Sequence, residues 1–230
     1  MTEDTPLGQT TGWGVLHLFC KPRAGADARS LLDAIDYARK DECQVVTACV
    51  LGHKADLCVL ALALDLRRLR RLQTELQAGG LDVVDSYVSL TEVSEYAAGM
   101  PEEMKQARLY PRLPPAGMEA MCFYPMSKRR APGAENWYAL SYQDRLDLMK
   151  GHGAAGREFR NRVLQLVTGS TGLDDWEWGV TLFGVHPDDL KDCVYSMRFD
   201  PASTHYGEFG PFYAGIVGDA EDVLGAVGIR

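Results

Sequence analysis

No apolar run in the chain exceeds eight residues, the longest being Leu57 to Leu64. A membrane-spanning helix needs roughly 20, so no membrane span is expected. The opening residues, MTEDTPLGQTTG, lack the basic-then-apolar order of a secretory leader, and a cytoplasmic location is the expectation. Net positive charge is also missing. The chain carries 24 Lys and Arg against 32 Asp and Glu, a formal charge of −8. So acidic a protein is a poor match for nucleic acid or an anionic membrane surface. Among the six cysteines, Cys20, Cys43, Cys49, Cys58, Cys122 and Cys193, no two form CxxC and none stands at zinc-ligand spacing with a histidine. Four lie inside apolar runs, and all read as reduced thiols.

What is present is ordinary globular material, 46% apolar and 24% charged over 230 residues. That is enough for one large domain or two of about 100 residues. Periodicity divides the first half into a strand over Gly12 to Cys20 and a helix over Asp27 to Lys40. Two Val- and Leu-rich strands follow, Gln44 to Leu51 and Leu57 to Leu64, joined by the turn Gly52 to Asp56. Leu66, Leu69, Leu72 and Leu76 repeat at helical spacing until Gly79-Gly80, and Leu81 to Leu90 alternates as a strand. The order β-α-β-β-α-β is that of a ferredoxin-like unit. Prolines 101, 111, 114 and 115 mark a linker over 96–116, with a short helix across Glu102 to Arg108.

The order then recurs. Met118 to Lys128 reads as a strand, and Ser141 with Asp144 forms a capping box for a helix running to about Val163. Strands follow over Gln165 to Ser170 and Trp176 to Val185, then a helix from Asp188 to Met197 and a last strand from Glu208 to Val217. The expected class is α+β. Halves 1–95 and 117–230, each ferredoxin-like, pack together or close into one barrel, because two open sheets would leave faces and edges uncovered.

Candidate chemistry is sparse in the first half. His17 and His53 stand alone, and Arg67, Arg68, Arg70 and Arg71 read as a solvated helix face. The second half is denser. In the segment Cys122 to Arg130, a strand puts Cys122, Tyr124, Met126 and Lys128 on one face. Tyr124 and Lys128 then lie about 13 Å apart. Pro125 argues for an edge strand or a strand end. A phenol and an ammonium on one face suit a large anionic ligand, although an exposed basic strand end accounts for the segment equally well. Leu148, His152, Ala155 and Phe159 share a helical stripe, and Gly151, Gly153 and Gly156 flank the histidine. Helical glycines cost about 1 kcal/mol each relative to alanine. Three around one histidine point to close approach of something flat, a porphyrin for example; a lone structural histidine is the plainer alternative. Arg198 and Ser203, in MRFDPAS, can donate to carboxylates, or form an ion pair and a turn cap.

Taken together, FYPMSKRR, NWY at 136–138, HGxxGR at 152–157, GSTGLDDWEWGVTLF at 169–183 and MRFDPAS resemble the haem-dependent chlorite dismutase-like superfamily. Within it they are most similar to the coproheme decarboxylases, or hydrogen-peroxide-dependent haem synthases. The likeness covers most of the chain and is densest from Arg108 to Tyr213. It implies a fused dimeric α+β barrel, usually a homopentamer, acting on iron coproporphyrin III (coproheme) with hydrogen peroxide to make haem b, downstream of a coproporphyrin ferrochelatase. It implies His152 as proximal iron ligand and Tyr124 as the tyrosine oxidised to a radical. Lys128 is then the lysine serving the second propionate, and Arg108, Arg198 and Ser203 are propionate partners. Pro125, Met126 and Ser127 belong to the same ligand-binding segment. Gln165 stands where chlorite dismutases carry a distal arginine, which counts against chlorite chemistry. No histidine lies between His53 and His152, so the resemblance leaves the distal base unassigned. A haem peroxidase and a non-catalytic haem carrier or sensor are the alternatives.

Overall fold

A computed structural model describes residues 6–97, 99–133 and 135–230. Met1 to Thr5, at the start of the segment read for a leader, Ala98 in the expected linker, and Ala134 lie outside the described residues. The first half runs β1 (Gly14–Pro22), α1 (Ala28–Lys40), β2 (Gln44–Leu51), β3 (Leu57–Ala63), α2 (Leu66–Ala78) and β4 (Leu81–Thr91). After α3 (Glu102–Leu109) the second half runs β5 (Ala120–Lys128), α4 (Tyr142–Arg157), β6 (Val163–Gly169), β7 (Trp178–Gly184), α5 (Pro187–Met197), α6 (Pro201–Thr204), β8 (Gly207–Phe209), β9 (Tyr213–Gly218) and α7 (Ala220–Ala226).

Local chemistry explains the boundaries. Asp27 and Asp65 cap α1 and α2 by accepting backbone N–H bonds, from Ser30 and Arg67. Leu31, Ala34, Ile35 and Ala38 on α1, with Leu69, Leu72 and Leu76 on α2, form the buried stripes. Gly80 follows α2 at φ +107°, where a Cβ would collide with the Ala26 backbone.

All the strand pairs are antiparallel. The first half has the order β4-β1-β3-β2 and the second β6-β7-β5-β9. Strands β2 and β9 join at one seam, β4 and β6 at the other, and the β5–β7 pairing closes the ring into a barrel. Inward residues from both halves, among them Val15, Phe19, Leu60, Tyr87, Phe123, Phe183 and Tyr213, fill its interior. Helices α1, α2 and α7 cover the outer face of the first half. On the second half's outer face, Tyr124, Val180 and Leu182 meet Leu190 and Cys193 of α5.

Several expectations need correction. Strand β5 is not an edge: Pro125 pairs with Gly179 of β7, and β9 and then β8 lie along its other side. The Pro125 carbonyl accepts from Gly210 on that other side. A residue's N–H and C=O point the same way from an antiparallel strand. The missing N–H therefore falls in the gap between β9 and β8 and costs no bond to β7. Helix α4 ends at Arg157, and a turn leads directly into β6 at Val163. The last predicted strand is two strands, β8 and β9, and α6 and α7 were not anticipated.

The linker is more than a spacer. Tyr96 accepts from the Arg145 guanidinium, and the Tyr142 hydroxyl donates to the Glu95 carbonyl, so the segment after β4 grips the first turn of α4.

Candidate functional site

Helix α4 is anomalous: none of its sixteen residues is buried. It rests mainly on α5 and α6, rather than lying flat on the sheet. Ser141 starts it, accepting from the Asp144 N–H, and its hydroxyl donates to the Asp144 carboxylate. The three glycines are not required by the chain's own packing. A Cβ on Gly151 or Gly153 would meet only an Asp200 oxygen at 3.9 Å or the tip of Arg157 at 3.5 Å. One on Gly156 would meet the ends of Met197 and Gln165 at 3.3 and 3.5 Å. A helix with no buried face and glycines no neighbour demands fits a flat ligand laid against it.

His152 sits on this helix, one turn before Gly156. Its Nδ1 lies 2.8 Å from Asp200 Oδ2. The carboxylate is almost fully buried, while the imidazole is about a third exposed. A carboxylate at Nδ1 selects the tautomer whose Nε2 lone pair is free for a metal. Among the described residues no cluster of three His, Cys, Asp or Glu could hold a bare metal ion. One oriented imidazole suits an iron whose other ligands come from a macrocycle.

Asp200 is held from the protein side. It caps α6, accepting from the Ser203 backbone N–H at 3.2 Å and hydroxyl at 3.3 Å. Ser203, expected to meet a ligand carboxylate, is buried and donates to Asp200 instead. Lys128 stands behind the same segment. Its Nζ donates to the Ala202 carbonyl at 2.7 Å and lies 4.6 Å over the Trp137 ring. Burial pulls its pKa down to about 8, against the opposing pull of the Asp200 and Glu177 carboxylates. Buried Glu177 accepts from the Lys128 backbone N–H and from the Tyr138 hydroxyl. Its own N–H donates to Ser127 Oγ.

Tyr124 faces outward from β5 and is 8% exposed. Its ring stacks on Phe212 at 4.5 Å and meets Phe209 edge-on at 5.9 Å. Burial raises its pKa well above the ordinary phenol value; Cys122 and Cys193 add to the rise, and Arg198 opposes it. No described residue hydrogen-bonds its hydroxyl. Arg198, at the end of α5, is exposed and lies 4.4 Å over the Phe209 ring. It forms no ion pair among the described residues, so it is a cation free for an anionic ligand beside the phenol. Pro125 and Met126 continue the strand, with Met126 packed into the Tyr124 cluster. Gln165 of β6 donates to Cys193 Sγ at 3.7 Å and reaches Gly156.

Tyr124, Cys193, Arg198, Gln165 and Gly156 are thus linked between α4, α5 and the outer sheet face, and His152 stands on α4 one turn before Gly156. Among the described residues no hydrogen bond, ion pair or ring contact joins Arg108 to this group. It lies exposed on the last turn of α3, without a hydrogen bond or ion pair among the described residues. Sequence reasoning did not single out Asp200, Glu177 or Phe212. Asp200-Pro201 is a cap-plus-N1-proline signature that could have drawn attention to Asp200.

A family model for chlorite dismutase matches residues 21–218. A coproheme decarboxylase of Thermus thermophilus is 42% identical over 78% of this chain and 74% of its own length. A protein of Natronomonas pharaonis named for haem binding is 40% identical over 94% of this chain, which spans only 40% of that relative. Among solved structures, a haem-binding protein from Thermus thermophilus superposes with a TM-score of 0.86, at 36% identity, over 98% of this chain and all of that one. A mutant chlorite dismutase of Candidatus Nitrospira defluvii shares the fold, with a TM-score of 0.75 at 19% identity over 95% of this chain and 97% of that one.

Proposed function

The chain belongs to the chlorite dismutase family, and from that premise we propose that it is a coproheme decarboxylase. Its substrate is iron coproporphyrin III, its oxidant hydrogen peroxide and its product haem b. The observation that carries this reading is a buried, unbonded phenol, Tyr124, placed beside an unpaired cation, Arg198, next to a helix that offers an oriented imidazole, His152. The likeness to coproheme decarboxylases of Thermus supports it.

The substrate supplies the redox chemistry once peroxide has reacted at its iron. His152 holds it through Nε2, while Asp200 at Nδ1 fixes the ring and raises its basicity. Lys128 braces the Asp200 segment through Ala202 with one of its three ammonium hydrogens, and the others serve the second propionate. Arg198 pairs with a propionate and so positions the side chain to be cut. Tyr124 gives up one electron to the substrate that peroxide has oxidised, and its phenolic proton to solvent. The resulting phenoxyl radical takes a hydrogen atom from the propionate carbon next to the ring and becomes a phenol again. Loss of carbon dioxide, with the second electron passing to the same peroxide-oxidised substrate, leaves a vinyl group, and repetition on a second propionate completes haem b. Two peroxides are consumed. Burial serves this role, because a phenol whose pKa is raised keeps its proton until it is oxidised. The neutral Gln165 on β6 offers no charge to stabilise a chlorite-derived anion, which disfavours the chlorite reading.

The test is mass spectrometry of coproheme incubated with the protein and titrated peroxide. Two successive losses of carbon dioxide with hydrogen are expected. Unchanged coproheme under peroxide would leave a haem carrier, and oxygen release from chlorite would mark a dismutase.

A further inference from the structure

Tyr213 opens β9 inside the barrel, 5% exposed, and its hydroxyl donates to the carboxylate of Asp85 on β4. Asp85 itself faces solvent. Tyr213 is linked to Tyr124 along both strands. Its chain neighbour Phe212 stacks on the Tyr124 ring. Across the β5–β9 ladder it faces Phe123, the chain neighbour of Tyr124, at a ring distance of 6.4 Å. On its other side Tyr213 stacks on Phe19 at 3.8 Å.

Removing an electron from a phenol turns it into a strong acid. A phenol with a base ready for the proton is therefore oxidised more easily than one without, and a radical formed on the second kind draws an electron from the first. The neighbouring phenols lack such a base. Tyr87 is bonded to the Ser170 hydroxyl, which donates its own hydrogen to the Trp176 carbonyl. Tyr124 has no hydrogen-bond partner among the described residues. Tyr213 has a carboxylate, and that carboxylate opens to water. The Lys54 ammonium, 5.4 Å over the Tyr213 ring, penalises any positive charge left on it and makes proton loss to Asp85 the condition of oxidation.

We propose that Tyr213 and Asp85 form a second oxidisable site, a sink that draws from Tyr124 the oxidising equivalents not spent on substrate. This rests on the reading of Tyr124 as the tyrosine oxidised under hydrogen peroxide. One electron passes from Tyr213 to the Tyr124 phenoxyl radical. The Tyr213 O–H bond breaks, and its proton goes to Asp85 and on to water. Tyr124 takes up one proton from solvent and is restored as a phenol. Tyr213 is left as a neutral phenoxyl radical, and no other bond changes.

The experiment is freeze-quench electron paramagnetic resonance on protein loaded with iron coproporphyrin and given excess hydrogen peroxide, with ring-deuterated tyrosine to identify the radical. It compares the unaltered chain with Tyr213→Phe and Asp85→Asn, and haem b is measured by mass spectrometry in the same samples. The unaltered chain is expected to show two tyrosyl signals. One should be lost in each variant, the macrocycle absorbance should bleach sooner, and haem b yield should be unchanged. Asn at position 85 keeps an acceptor oxygen and the shape of the side chain, so loss of the signal there reflects the lost base and not the fold. Signals unchanged in either variant, with normal haem b, overturn the sink and leave the role of Tyr124 standing. No tyrosyl signal and unconverted coproheme in the unaltered chain overturn both.

Discussion

An imidazole whose Nδ1 is tied to a buried carboxylate can offer only Nε2 to a metal, and at His152 that carboxylate is Asp200. Removing His152 should abolish a five-coordinate ferric spectrum with added coproheme; an unchanged spectrum in His152→Ala would mean that the iron is held elsewhere. Removing Asp200 leaves the ligand but frees its ring. Asp200→Ala should therefore still bind, about 10- to 100-fold more weakly, with the iron–imidazole stretch shifted to lower frequency in the ferrous state. An unshifted stretch would show that the carboxylate does not act on the ligand. The two residues were unequally visible in the sequence. His152 carried a signal in its three flanking glycines. Asp200 carried none as a partner, because forty-eight residues separate it from His152 and only the packing of α6 on α4 brings them together.

At the scale of elements, α4 holds the clearest prediction. Gly156 lies one turn beyond His152, and its Cβ would meet only flexible side-chain ends. Gly156→Ala should leave the ligand-free protein as stable or slightly more so, by up to about 1 kcal/mol, and should weaken binding of the macrocycle. Titration of coproheme against urea unfolding separates the two effects, and equal affinity in the variant would deny that α4 approaches the ligand closely. Strands and helices with a strict apolar period were legible from sequence: β2 begins and ends at its predicted residues, and of the leucines spaced along α2, Leu69, Leu72 and Leu76 are buried and Leu66 partly so. The position of β5 was not, since Pro125 reads as a breaker unless one knows which neighbour its missing N–H faces. The end of α4 was misjudged because Phe159, which continues its apolar stripe, is buried from the turn after the helix and not from the helix itself. The short β8 pairs with the distant β5, and α6, a four-residue helical turn, is too short to show an apolar period.

The whole molecule is a closed barrel with a histidine at its centre. His17 is completely buried, bonded through Nε2 to Thr181 at 2.8 Å, with Nδ1 unpartnered. Sequence alone showed only an isolated histidine on an apolar strand. Burial lowers its pKa from 6.5 to about 3. The unfolded chain therefore binds a proton below pH 6.5 that the folded chain refuses until about pH 3. Stability falls as pH drops through that window, at about 1.4 kcal/mol per unit from this group. Urea unfolding of the unaltered chain and of His17→Leu with Thr181→Val, between pH 7 and 4, should show a shallower decline in the double variant; parallel declines would show that His17 charges freely in the fold. The barrel also fixes which face each β5 residue presents, with Phe123 inward and Tyr124 outward, and on that alternation the proposed chemistry depends. The most direct check of it is the haem b formed by Tyr124→Phe after peroxide is added to variant protein already saturated with coproheme. Undiminished binding with almost no haem b is the predicted result, and a yield equal to that of the unaltered chain would contradict the account.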